Sequence, residues 1–342
     1  MFLVLFLAGV LWALGWLMGT PHRVRFVIIG VLFSVVMLVQ IALPYGHPLR
    51  EATGESPFLW LMLAALVAVV LLYRRGLQAL QRRAVKGDEP VKKPTFSDTE
   101  LNRYARHIVL HEVGGPGQKR LKQARVLVIG AGGLGAPALL YLAASGVGTI
   151  GIIDDDEVEN ANLQRQVIHR DADIGIPKVF SAKAAMEAQN PFVTVLPYHR
   201  RLTQENAGEL FADFDLILDG TDNFKTRYLA NRVAVDQGKP LISGALSQWE
   251  GQLSVFDPAN GAPCYQCIFP EAPAEGLAPS CAEAGVVGPL PGVVGSMMAL
   301  EAIKVITGAG APLRGEMLIY DGLYGESRKI GLGRRSDCPI CG

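Results

Sequence analysis

RVLVIGAGGLG, running from Arg125 to Gly135, is the stretch from which the fold is read. Arg125 to Ile129 is short, apolar and bounded by glycine, the mark of a buried strand. Gly130-Ala-Gly132-Gly133-Leu-Gly135 then gives G-x-G-x-x-G, and Ala136 to Ala144 continues as a helical run. Such glycines permit a tight turn and let backbone N–H groups approach a phosphate at a helix N-terminus. A second strand, Thr149 to Ile153, ends at Asp154, placed where an acidic side chain meets ribose hydroxyls. Further strands are expected at Val193 to Leu196, Leu216 to Leu218, Pro240 to Ser243 and Gln252 to Phe256, with Met317 to Tyr320 the last. Helical patterns include Pro177 to Gln189, Asn223 to Gln237 and Gly292 to Thr307. Alternating β and α units predict an α/β fold, a Rossmann-like and mostly parallel sheet wrapped by helices. By itself the glycine motif favours NAD or FAD and discriminates weakly between cofactors.

Toward the N-terminus the composition changes. Three long apolar runs, Met1 to Gly19, Val24 to Leu43 and Pro57 to Tyr73, predict three transmembrane helices. The first lacks a basic n-region and a small-x-small cleavage site, so a retained span is expected rather than a signal peptide. Arg23 and Arg25 lie between the first two runs, and Arg74, Arg75, Arg82, Arg83 and Lys86 follow the third. The positive-inside bias then puts the N-terminus outside and everything after Tyr73 in the cytoplasm, on a multi-pass protein of the cytoplasmic (inner) membrane. Residues 74–96 read as a basic, Pro-rich linker and 97–342 as one α/β domain. Ser97-Asp-Thr-Glu100 has the spacing of a capping box, and the helix it starts carries Arg106.

Lys+Arg and Asp+Glu are both 32, so no bulk attraction to nucleic acid is expected. Cys264-Tyr-Gln-Cys267 and Cys338-Pro-Ile-Cys341 are two C-x-x-C pairs, with Cys281 alone between them. The two pairs suit a tetrahedral Zn²⁺ site that clips distant segments together; a redox dithiol or two unrelated pairs are the other readings. A closed set of four thiolates would be structural, and a reducing compartment favours it over disulfides. Three further clusters are Asn162-Leu-Gln-Arg165-Gln166, Lys178, and Asp219-Gly-Thr-Asp222-Asn223. Two cations and several carboxylates at loops and helix starts suit a nucleoside triphosphate with Mg²⁺ better than a dinucleotide. No G-x-x-x-x-G-K-[ST] is present, which excludes a P-loop enzyme.

Taken together, the glycine motif, Asn162 to Gln166, Thr221-Asp-Asn223, the two C-x-x-C pairs and Ser280-Cys281-Ala-Glu-Ala-Gly285 resemble the E1-like (ThiF/MoeB/HesA) adenylyltransferases. The resemblance runs from about residue 97 to the C-terminus, nearest to the family's molybdopterin-synthase adenylyltransferases, with the thiamine-pathway branch close behind. It implies ATP-dependent adenylylation of the C-terminal Gly-Gly carboxylate of a ubiquitin-like sulfur carrier, with release of pyrophosphate, in molybdenum cofactor biosynthesis. It also implies nucleotide contacts from Gly130, Gly132, Gly133 and Gly135, ribose binding by Asp154, and phosphate contacts from Asn162, Arg165 and Lys178. Asp222 is expected to bind Mg²⁺ and to be the first catalytic residue, with Asn223 beside it. Arg106 would reach across a homodimer to the γ-phosphate. Cys281 would form a covalent link with the carrier, or be an idle thiol. Other carriers, or a nicotinamide-dependent oxidoreductase resting on the glycine motif alone, stay open. The apolar N-terminal region is the departure from the family's soluble members.

Overall fold

The computed structural model describes residues 2–54, 56–84, 95–273 and 284–342. Cys281 and part of the expected linker lie outside them. The chain divides into two compact units, Met1–Lys93 and Pro94–Gly342.

In the first unit the apolar runs become α1 (Phe2–Leu17), α2 (His22–Ala42) and α4 (Pro57–Ala84), with a short α3 (Pro48–Thr53) before the last. Arg25 falls inside α2 rather than ahead of it. It is buried, donates from Nε to the Thr20 carbonyl at 2.9 Å and lies over the Trp12 ring. Val4, Val36 and Trp60 form a small interior with Leu32, Phe33, Met37 and Leu63. Most other large apolar side chains of these helices, Phe2, Leu38 and Leu72 among them, are exposed. By length and composition alone, α2 and the stretch Pro48–Leu77 suffice to cross a bilayer, whereas α1 is shorter.

The second unit opens with the capping box read from sequence. Ser97 N–H donates to Glu100 Oε2 at 2.9 Å and the Glu100 N–H to Ser97 Oγ at 3.3 Å, starting α5 (Asp98–Arg103). Helices α6 (Ala105–Ile108) and α7 (Gly114–Gln123) follow. An alternating series then runs β1 (Arg125–Ile129), α8 (Gly135–Ser145), β2 (Thr149–Asp154), α9 (Lys178–Gln189), β3 (Thr194–His199), α10 (Gln204–Ala212), β4 (Leu216–Asp219), α11 (Phe224–Asp236) and β5 (Leu241–Leu246). After it come β6 (Glu250–Phe256), α12 (Tyr265–Ile268), α13 (Pro289–Thr307), β7 (Glu316–Asp321) and β8 (Glu326–Gly331). The sheet order is β3-β2-β1-β4-β5-β6-β7-β8, parallel through β5 and antiparallel beyond it. Met317 to Tyr320 is therefore not the last strand, because β8 pairs beyond it.

Alternation along β1 explains the layers. Val126 and Val128 join one core with Leu139 of α8, Met186 of α9 and Met298 of α13; Leu127 and Ile129 join another with Phe211 of α10 and Ala230 of α11. A strand buried on both faces must be apolar throughout, as this one is. The chain leaves β1 toward β2 and β3, then returns to β4 on the other side of β1. At that reversal the following turns diverge and open a crevice at the carboxyl ends of β1 and β4.

Candidate nucleotide cleft and four-cysteine cluster

The crevice is a cavity of about 1560 Å³. Gly130, Gly132, Gly133, Asp154, Asn162, Arg165, Lys178, Asp222 and Asn223 all line it. Residues far apart in sequence thus converge because most follow a strand or precede a helix at one edge of the sheet, while Asn162 and Arg165 come from the turns between β2 and α9. Gly130 takes φ +91°, a conformation that glycine adopts without strain.

Two of the sequence-read positions lie elsewhere. Gly135 does not line the cavity. A Cβ there would sit 1.9 Å from the Gly130 carbonyl oxygen, so its glycine serves the close approach of α8 to the loop. Arg106 is exposed on α6 and is not part of the cavity wall.

Along the cavity wall, the chain braces its own polar groups. Asp154 Oδ2 accepts the Ala131 N–H at 2.7 Å and Oδ1 the Asp156 N–H at 2.9 Å. Burial nonetheless holds its carboxyl above the usual range, against those two donors and Lys178. Lys178 is buried and pairs with Asp156 at 2.7 Å. Arg165 leans on the Ala161 carbonyl at 3.2 Å and on Asn162 Oδ1 at 3.4 Å. Asn223 caps α11, its Oδ1 accepting the Thr226 N–H at 2.8 Å, while Asp222 before it is exposed at the cavity wall. Gln166 is buried at the wall, and its Oε1 has no partner among the described residues. An unpaired acceptor and a row of glycine N–H groups are what a polar ligand would complete.

Sequence reading missed one support of this cleft, Arg227, and quoted another, Asp219, without giving it a role. Arg227 is buried on α11 and donates to Ser243 Oγ at 3.1 Å, to the Gly244 carbonyl at 2.8 Å and to the Thr221 carbonyl. Asp219 is 1% exposed and accepts both the N–H (3.0 Å) and the hydroxyl (2.7 Å) of Thr221. Together they fix the turn that presents Asp222. An Arg five residues after an Asp, on a helix start, was the available signal.

The four paired cysteines do meet. Cys264 opens α12, Cys267 lies within it, and the C-terminal turn brings Cys338 and Cys341 against them. Sulfur separations are 3.8 Å for Cys264–Cys267, 3.6 Å for Cys264–Cys338 and 3.4 Å for Cys267–Cys341. A tetrahedral Zn²⁺ with Zn–S of about 2.3 Å sets its sulfurs about 3.8 Å apart, so the set fits that ion and none of these pairs is a disulfide. All four are buried. Burial pushes the Cys264 thiol up. At Cys338 burial acts the same way, but the Ile340 and Cys341 N–H groups and neighbouring thiols bring it down to about 7. Arg334 holds the Cys341 carbonyl, closing the turn from outside.

The ThiF family profile matches residues 104–340. This chain belongs to the ThiF family. It is 51% identical over 251 residues to the sulfur carrier protein adenylyltransferase of Thermus thermophilus, covering 72% of this chain and 93% of that one. The SAMP-activating enzyme E1 of Haloferax volcanii is 48% identical over 71% of this chain and 90% of its own length. The probable adenylyltransferase/sulfurtransferase MoeZ of Mycobacterium tuberculosis is 51% identical over 73% of this chain, which spans 65% of that protein. Among solved structures, PaaA superposes with a TM-score of 0.62 at 27% identity, covering 75% of this chain and 81% of PaaA. MccB of E. coli, solved with a MccA variant, gives 0.61 at 25% identity, covering 70% and 75%. The family membership agrees with the resemblance drawn from the motifs.

Proposed function

We propose that this ThiF-family chain uses ATP to adenylylate the C-terminal glycine carboxylate of a ubiquitin-like sulfur carrier protein. The chain is an E1-like nucleotidyltransferase; its relatives' named substrates, a sulfur carrier and SAMP, supply the acceptor class. The observation that carries the reading is the single cavity where the glycine loop, Asp154, Asn162, Arg165, Lys178 and Asp222 meet. At about 1560 Å³ it exceeds an ordinary small-ligand pocket, leaving room for a peptide tail beside the nucleotide.

A carrier carboxylate oxygen attacks the α-phosphorus and forms the acyl-phosphate bond. The bond from that phosphorus to the bridging oxygen breaks, and its electron pair leaves on pyrophosphate. A carboxylate needs no base at neutral pH, so the chain's work is alignment and charge stabilisation. The glycine loop and the α8 N-terminus present N–H groups, Asp154 takes the ribose, and Asn162, Arg165 and Lys178 take the phosphates. Mg²⁺, when bound, would neutralise phosphate charge, and Asp222 at the cavity edge is the residue assigned to hold it. Arg106, exposed on α6, is assigned to the γ-phosphate of a homodimeric partner.

The preferred carrier is the small subunit of molybdopterin synthase, in molybdenum cofactor biosynthesis, with the thiamine-pathway carrier as the competing outcome. Cys281 is assigned a thioester with the carrier: its thiolate attacks the carbonyl carbon of the acyl-adenylate, the acyl–phosphate bond breaks, and AMP leaves. Zn²⁺ in the four-cysteine cluster would brace the C-terminus. The first unit is proposed as a three-span anchor in the cytoplasmic membrane, with the catalytic unit in the cytoplasm. The exposed apolar faces of α1, α2 and α4 support this, since such surface is unusual on a soluble monomer. A nicotinamide enzyme would leave Asn162, Arg165 and Asp222 without work.

ATP–pyrophosphate exchange by the detergent-solubilised chain tests the activity, with each carrier added separately. Exchange only with a carrier ending in Gly-Gly is expected; none with any carrier, alongside NAD binding, overturns the reading. Membrane fractionation and protease protection test the topology.

A further inference from the structure

Between Arg165 and Lys178 stands His169, a buried imidazole that the reaction above does not use; it is 6% exposed. Its Nε2 lies 2.9 Å from the Ala131 carbonyl, inside the glycine loop. Its Nδ1 lies 2.8 Å from Ser181 Oγ on α9, which also lies 2.7 Å from Asp173 Oδ2, so the one Ser181 hydroxyl proton is shared between that carboxylate and the unprotonated Nδ1. A carbonyl can only accept, so Nε2 carries the proton and donates.

The neighbouring N–H is held as well. Ala131 N–H donates to Asp154 Oδ2, while its carbonyl takes the His169 proton. Ala131 is fully buried and absent from the cavity wall, whereas Gly130, Gly132 and Gly133 line it. Two consecutive peptide planes are thus clamped, one by Asp154 at the cleft wall and the next by His169, which is not part of that wall. Such clamping matters because glycine at 130 and 132 leaves those planes little resistance to rotation. A flip of the Ala131–Gly132 peptide would swap the Gly132 N–H for a carbonyl. The partial negative charge would then stand where phosphate is bound.

We infer that His169 is a positioning residue for the nucleotide, which holds the Ala131 carbonyl out of the cleft and so keeps the glycine-loop N–H groups facing the phosphates. The inference rests on the nucleotide reading of the cleft proposed above. Burial, which keeps the imidazole below its ordinary range, agrees with a neutral donor.

Two near-isosteric substitutions separate positioning from packing. His169→Gln sets an amide N–H near the Nε2 position and keeps the bond to Ala131. His169→Asn sets its amide near Nδ1, keeping the bond to Ser181 and losing Ala131. The test is calorimetric titration of ATP into the full chain in detergent, with melting temperature and ATP–pyrophosphate exchange as companions. His169→Asn is expected to raise the Kd for ATP about five- to tenfold, the size of one lost hydrogen bond, with the KM for ATP rising in step and kcat little changed. His169→Gln is expected to stay within about twofold of wild type. Equal Kd values for the two variants, or loss of stability in His169→Asn without a change in Kd, overturn the inference and leave the activity reading standing. Wild-type ATP binding without exchange on any carrier removes the carrier reading alone. A wild type that binds no ATP overturns both.

Discussion

The four-cysteine cluster and the candidate nucleotide cleft sit in one unit and are built on opposite plans. In the cluster four sulfurs face one another at 3.4–3.8 Å, buried, with no position left for a further ligand. In the cleft the charged groups border open volume, and each is held by another group of its own chain: Asp154 by two amides, Lys178 by Asp156 on the same wall, the Asp222 turn by Arg227 and Asp219. Donors that satisfy one another around an ion hold a fold together. Polar groups each fixed by a neighbour and set around a void are free to take a ligand. The distinction depends on where the second hydrogen bond of each group goes, and residue type alone does not reveal it.

That contrast breaks most sharply at Cys338. Cys338→Ser is expected to lose zinc and to drop the melting temperature steeply, since a structural site contributes on the order of 10 kcal/mol. Elemental analysis with thermal melting checks this; full zinc content at an unchanged melting point would remove the cluster from its structural role. Asp222→Ala is the converse: exchange should fall about a hundredfold or more, with zinc content and melting temperature at wild-type values. Arg227→Lys keeps the charge and loses the forked hydrogen bonds that hold the turn, so exchange should fall roughly tenfold while zinc stays bound. Loss of zinc in that variant would show that the two regions are not separable.

The smallest effect is a pH dependence. Burial depresses His169 most, and Lys178 adds to it, against the Ala131 carbonyl, Asp154 and Asp173. The folded imidazole stays neutral where the unfolded one, near pH 6.5, takes a proton. Its contribution to stability is therefore complete above about pH 6.5 and is lost as pH falls toward the depressed folded value. Denaturant melts from pH 7 downward should show a shallower acid loss in His169→Gln than in wild type; parallel curves would assign the acid loss to other groups.

The parallel half of the sheet was legible because its strands are apolar and punctuated by glycine or a helix start. Strand β8 was not, since Glu326 to Gly331 is exposed along its whole length and carries no core pattern. Helix α10 was passed over for a related reason: its capping box pairs Thr203 with Asn206, a weaker mark than the Ser97–Glu100 box. Charged residues that line the cleft were legible from their place after a strand or at a helix start. Arg227 and His169 were not, because each acts on a backbone carbonyl that only the folded chain brings near. Asn223 was read as a ligand neighbour, and the structure gives its oxygen to a helix cap. Motifs specify what lines the cleft more plainly than what holds those groups still.

Helix α13 has a membrane span's length and apolarity, yet half of it is buried in the α/β unit. Hydropathy alone would sort it with α2. Glu301 sorts it apart: 4% exposed, it accepts the Leu313 N–H at 2.9 Å and pairs with Lys304 one turn on. Either charge at the centre of a bilayer costs about 2.5–3.5 kcal/mol, whereas here the carboxylate ties the helix to the chain leading into β7. A single ion pair thus serves as an address label, marking as interior a segment whose apolar surface would suit lipid.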